Sequence, residues 1–337
     1  MSQRKPRKNN VARNHLSGGF RQKRDRRRFI VGERKMEWFE DNNLHIHGGI
    51  PPDFFERFIS PGLAEWPNSR QAMDVFMIRS ATWDQYISQK PSAVIENIAR
   101  VLNAAGIKVA LDDVSATMIQ CCYANPDYSS AIARIQSMLD YGFDVRYLSL
   151  QSILSKHFDP LNCVTELEDY TMAMRIEDAA GYAAQVLDEF PSMQFGIIDA
   201  VPTHNDDYES AYSGLVTALD TIDKTLDFII LDCPFSKAID EINGNSWAKI
   251  KAVRDYVRGL DASFGLICTD SAGMTSAADF RAVTLQGLSA YLAAGGDADI
   301  YLFSSWYTYP VYSIPDIVTA PTDPTMLSVF LEVCGLL

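Results

Sequence analysis

Four short apolar runs in this 337-residue chain stop on, or just before, an aspartate: Leu111-Asp112-Asp113, Ile198-Asp199, Leu231-Asp232 and Thr269-Asp270. Carboxylates gathered from separate segments can do three kinds of work. Two can act as acid and nucleophile, or as acid and base, on a glycosidic bond. Like charges held close raise one pKa and keep that carboxyl protonated, ready to protonate a leaving group. A ring of them can also hold a hard cation such as Mg²⁺ or Ca²⁺. Against these stands a local reading, in which each aspartate bonds nearby backbone or caps the next helix. The pattern makes Asp199, Asp112 and Asp232 the candidate catalytic carboxylates, and no cofactor is expected.

Aromatic residues gather near the same stops. Residues 300–310 read IYLFSSWYTYP, which sets Trp306, Tyr307 and Tyr309 just past an apolar run, and Trp83 and Tyr86 follow another. Sugar rings pack their C–H faces on aromatic planes. Trp306, Tyr307 and Trp83, with the polar Asp270 and Gln151, are therefore the expected saccharide contacts; the plainer reading is that the rings cover the end of a core. His45 and His47 form an H-x-H pair, and on a strand residues i and i+2 share a face, so both rings could ligate one metal. This stretch resembles, locally, the start of metal-dependent amidohydrolases. That family expects two more histidines at later strand ends and an aspartate on the final strand. Only His204 lies near such an end, so a metal site of His45, His47, His204 and Asp270 is a secondary expectation. No G-x-S-x-G nucleophile turn is present.

The elements that would position these residues alternate. Apolar runs at 74–78, 107–111, 145–150, 195–198, 228–231, 264–268 and 300–303 are too short for buried helices and rich in β-branched or aromatic residues. They read as buried parallel strands. Helical patterns fall between them, at 92–105, 130–139, 176–190, 208–222, 247–260 and 277–294. The first has Ser92 as a candidate N-cap and Gly106 as a stop. Alternation of this kind means a parallel sheet with helical crossovers. An eighth strand at Leu44–His47, or near Val311, would close a (β/α)8 TIM barrel, and all strand ends would meet on one face. An open doubly wound sheet is the alternative. No glycine-rich phosphate loop follows the first run, which argues against a nucleotide-binding version of it.

Charge divides the chain. Residues 1–35 hold thirteen Lys and Arg against Asp25 and Glu33, a net of about +11, whereas the remainder carries about −24. Residues 1–35 are expected to be a basic, flexible arm and residues 36–337 a single barrel domain. The arm suits an anionic partner: nucleic acid, an anionic surface or an acidic protein. The acidic body argues against a protein that coats nucleic acid. No apolar stretch is long enough to span a membrane. Arg26-Arg27-Arg28 precedes only Phe29-Ile30-Val31, so the apolar part of a signal peptide is missing. Six scattered cysteines without C-x-x-C read as buried thiols, which favours a reducing compartment without fixing a location.

Several of these pieces, in order, resemble a group of bacterial glycoside-hydrolase-like (β/α)8 barrel proteins over about residues 38–330. They are Trp38-Phe39, Asp74-Val75-Phe76, AAGIKVALD (104–112), VRYLSLQSIL (145–154), FGIIDAVP (195–202) and SSWYTYPVYSIPD (304–316). The resemblance implies carboxylates at Asp112, Asp199 and Asp232. The group typically reads Tyr-Leu-Ala-Met-Asp-Glu-Pro where this chain has Tyr147-Leu148-Ser149-Leu150-Gln151-Ser152-Ile153, so an acid pair has become Gln151 and Ser152. Neither residue carries a negative charge or donates a catalytic proton at neutral pH. Two expectations follow: a carbohydrate-acting hydrolase, or a barrel without catalysis that binds or builds in a larger assembly, anchored by its arm.

Overall fold

Eight parallel strands hydrogen-bond in chain order, and the last pairs with the first to close a (β/α)8 barrel. The structure is a computed structural model and describes residues 35–40, 50–113, 128–154, 171–200, 207–239, 246–270, 274–305, 308–318 and 323–337. The strands are β1 (Met36–Glu40), β2 (Val75–Arg79), β3 (Lys108–Asp113), β4 (Val145–Gln151), β5 (Gln194–Asp199), β6 (Phe228–Leu231), β7 (Ser263–Cys268) and β8 (Ile300–Ser304). The seven expected runs are β2 to β8. The strand that closes the barrel is β1. Leu44–His47 lies outside the described residues, and the segment at Val311 is irregular. The run Met-Glu-Trp-Phe-Glu is short and carries two glutamates, so it lacks the continuous apolar character of a central parallel strand.

The α-helices among the described residues are α1 (Pro67–Ala72), α2 (Ser80–Gln89), α3 (Ser92–Ala105), α4 (Ser129–Asp140), α5 (Met172–Glu189), α6 (Tyr208–Thr221), α7 (Phe235–Ala238), α8 (Trp247–Gly259), α9 (Ala277–Ala293) and α10 (Met326–Leu336). Helix α3 ends as expected, with Gly106 in the left-handed region at φ 78°. Its start differs: Ser92 is the first helical residue, and Pro91 precedes it without a side-chain cap. No helix among the described residues is long and apolar enough to cross a membrane.

Strand side chains alternate between two cores. One set, including Trp38, Val75, Met77, Ala110, Phe228 and Leu302, fills the bore. The other, including Phe39, Phe76, Leu111, Leu148, Ile197 and Leu231, packs under the helices. The bore is a packed core, with the Trp38 ring centroid 4.8 Å from Tyr147 and 5.3 Å from Phe228. Gly196 makes room for Phe228: a Cβ there would stand 2.3 Å from that ring. The seam between first and last units is closed by two carboxylates that accept from backbone. Asp53 accepts from the amides of Ser313 and Ile314 at 2.8 and 2.9 Å, and Asp316 from those of Asn68 and Ser69 at 2.8 and 2.9 Å. Cys233 and Cys268 are buried free thiols, and burial pushes both up in pKa. Lys35 packs on the barrel, donating to the Leu337 carbonyl at 3.0 Å and lying over the Tyr301 ring.

Candidate active site

The inward alternation continues to the C-terminal strand ends and there changes from apolar to polar. Glu40 of β1, Arg79 of β2, Asp112 of β3, Ser149 and Gln151 of β4, and Ser304 of β8 follow the bore residues on their strands. Asp232, just past β6, does the same. Lateral register sets them side by side: Arg79 pairs with Asp112, Asp112 with Ser149, and Glu40 with Ser304. A register shift between β3 and β4 matters here. Val109 pairs with Val145 but Ala110 pairs with Tyr147, so β4 carries one extra residue. Such a bulge reverses the facing of everything beyond it. It turns Tyr147, Ser149 and Gln151 into the bore and leaves Leu148 and Leu150 under the helices.

The polar layer is a connected network. Arg79 Nε donates to Glu40 Oε1 at 2.6 Å and stands 3.6 Å from Asp112 Oδ2. Ser304 Oγ donates to Glu40 Oε2 at 2.6 Å, and Ser149 Oγ donates to Asp112 Oδ1 at 2.9 Å. All five side chains are buried. Burial weakens the Arg79 cation, but Glu40 and Asp112, then Asp232, outweigh it and leave its pKa raised. Burial pushes the Asp112 carboxyl up to about 7; Arg79 and the Ser149 bond pull it down, while Glu40 and Asp113 push it further up.

The expected residues separate by face. Asp112 and Asp232 reach the bore end. Asp199 does not: with Phe195 and Ile197 it lies on the outer face of β5, buried, where the Tyr212 hydroxyl of α6 donates to it at 3.2 Å. Asp113 is likewise outside, accepting from Tyr182 of α5 at 3.0 Å with Arg134 at 3.9 Å. Asp112 and Asp199 are thus not brought together, because they differ in strand parity. Asp270 follows the local reading: it accepts from the Ser236 amide at 3.0 Å and its hydroxyl at 2.5 Å, holding the first turn of α7. Gln151 reaches the bore end beside Ile198. Beyond it, the backbone of Ser152 takes a left-handed φ of 59°.

Trp83 corrects the expectation of a sugar platform. It is fully buried, packed edge-to-face 5.8 Å from the Tyr141 ring and 5.5 Å from Phe143, so it offers no exposed face to a sugar. Trp306, Tyr307, His45, His47 and His204 lie outside the described residues. Among the described residues no group of three or more His, Cys, Asp or Glu is placed to hold a metal ion. A cavity of about 400 Å³ lies at the opposite end of the barrel, lined by Asn103, Lys108, Asp144 and Arg146. Asp144 already pairs there with Lys108 at 2.6 Å and Arg146 at 2.5 Å.

Glu40 and Arg79 are the site residues that sequence reasoning passed over. Glu40 carried the right signal, since its run also stops on an acid. The other acid-ended runs all end on aspartate, and the first continuous apolar run, at 74–78, is β2 rather than β1.

No family model matches the chain, and no curated protein matches it. Solved structures do. An endo-β-1,4-mannanase from Cellulomonas fimi aligns over 89% of this chain and 70% of its own, with 10% identity and a TM-score of 0.52. A glucosidase from Croceicoccus marinus aligns over 90% and 67%, with 13% identity and a TM-score of 0.51. A fungal β-1,4-galactanase aligns over 89% and 100%, with 11% identity and a TM-score of 0.51. The chain therefore has the (β/α)8 barrel fold that these glycoside hydrolases also have, at identities that speak for the fold alone.

Proposed function

We propose that this protein is a carbohydrate-acting hydrolase of the glycoside-hydrolase-like barrel type, working through the carboxylates at the bore end, Asp112, Glu40 and Asp232. The observation that carries the reading is the spacing of Glu40 and Asp112. Arg79 Nε lies 2.6 Å from one and 3.6 Å from the other, so their facing oxygens are at most about 6 Å apart. That bound admits the roughly 5–5.5 Å of retaining glycosidases and is short of the roughly 6.5–9.5 Å of inverting ones. The fold neighbours act on β-1,4-linked galactan and mannan and on glucosides, which makes these the first substrates to try. The purified protein should release reducing ends from at least one of them with retained anomeric configuration. Asp112→Asn and Glu40→Gln should each lower that rate by at least about 100-fold, the usual weight of an acid–base group. Full turnover in either variant removes that residue from the reaction.

One observation favours a second reading. Arg79 stands between the two acids, and the end of β4 presents Gln151 where the resembling group carries an acid pair. A barrel that binds saccharide without cleaving it would show calorimetric binding of oligosaccharides and no release of reducing ends.

A further inference from the structure

We infer that the exchangeable proton of the bore-end network resides on Asp112 Oδ2, with Glu40 as the acceptor beside it and Arg79 as the positioning residue that keeps the two roles apart. Hydrogen bonding distinguishes the two carboxyls. Both Glu40 oxygens already accept a hydrogen bond, Oε1 from Arg79 at 2.6 Å and Oε2 from Ser304 at 2.6 Å. Asp112 is asymmetric. Its Oδ1 accepts from Ser149, while its Oδ2 is buried with no hydrogen-bond partner among the described residues. Arg79 Nε stands 3.6 Å from that oxygen, beyond bonding distance, because it is committed to Glu40. A buried anionic oxygen without a donor is costly, and a proton on it removes the cost. The groups facing Asp112 are Glu40 and Arg79 from β1 and β2, Ser149 from β4, and Asp113 beside it. Tyr182 lies behind Asp113, and Asp232 acts through Arg79. The upward pKa of Asp112 agrees with this assignment.

Only the use of the proton rests on the hydrolase reading. In that chemistry the Asp112 proton passes to the departing glycosidic oxygen as its bond to the anomeric carbon breaks, the bonding pair staying with the oxygen. Asp112, now a carboxylate, regains a proton from the water whose hydroxyl ends on the anomeric carbon.

The test is a pH titration of the full chain labelled with carbon-13 at the aspartate carboxyls, followed by NMR. One carboxyl line should titrate about two or more pH units above ordinary aspartates and vanish in Asp112→Asn. The variant also separates it from Asp227, whose pKa burial raises to about 6. In Glu40→Gln the same line should move to lower pH, since a neighbouring negative charge is gone and Arg79 is free to turn to Asp112. An Asp112 line that titrates with ordinary aspartates overturns the assignment, as does a line that Glu40→Gln leaves in place. The Glu40→Gln arm still reports if Asp112→Asn does not fold. Absence of any glycosidase activity leaves these spectra unchanged and counts against the hydrolase reading alone.

Discussion

Asp112 and Glu40 show how one carboxyl can be set apart from another a few ångströms away. Ser304 and Arg79 supply Glu40 with two donors, whereas Asp112 receives one from Ser149. The difference has a consequence for stability. Asp112 titrates near 7 in the folded barrel and near 3.9 in an unfolded chain, so the folded state binds its proton more tightly. Its contribution is fully present below about pH 4 and is lost as pH rises through about 7. Asn is neutral at every pH and escapes the loss. Asp112→Asn should therefore gain stability relative to the wild-type protein between pH 5 and 8, by up to a few kcal/mol at the upper end. Chemical denaturation of both proteins at pH 5 and pH 8 measures the difference. A gap that does not widen with pH shows that Asp112 is ionised throughout.

The pairing of strand ends with helices explains why the other acids point away. Tyr182 of α5 donates to Asp113, and Tyr212 of α6 donates to Asp199, with burial first and the carboxylates next raising both phenols. These bonds tie the outer face of the sheet to its crossover helices. Breaking one leaves a buried polar group exposed to an apolar layer, at about 1–3 kcal/mol. Tyr212→Phe and Asp199→Ala should each lower the free energy of unfolding by that amount while turnover stays within a few-fold of wild type. Turnover lost with that free energy unchanged would return Asp199 to the reaction. The alternation of short apolar runs with amphipathic stretches was enough to read the barrel, because parallel strands buried on both faces and helices with one apolar side leave different periods. β6 and α3 appear over the residues expected. What the pattern concealed was parity. A run that ends on an acid does not say whether that acid faces the bore or the helices, and neighbouring residues such as Asp112 and Asp113 go opposite ways. The bulge in β4 moved Ser149 and Gln151 inward, and only strand register reveals it. β1 escaped notice because two glutamates interrupt a run of five, one of them being Glu40 itself.

Across the whole chain the charge is sorted by position: about +11 in residues 1–35 and about −24 in the remainder. Lys35 is bonded to the barrel through the Leu337 carbonyl and is the first described residue. We propose that residues 1–34 supply binding to a polyanion, since a body of net negative charge repels one. Each phosphate neutralised by Lys or Arg releases a counterion, so retention should weaken with log salt at a slope of about −0.9 per contact on duplex DNA. The full chain should bind a duplex at 50 mM salt and release it steeply as salt rises. A variant lacking residues 1–34 should keep its circular dichroism and thermal midpoint and should not bind. Binding that survives the deletion with the same salt slope would place the contact on the barrel, where a basic patch would have to overcome the surrounding acid.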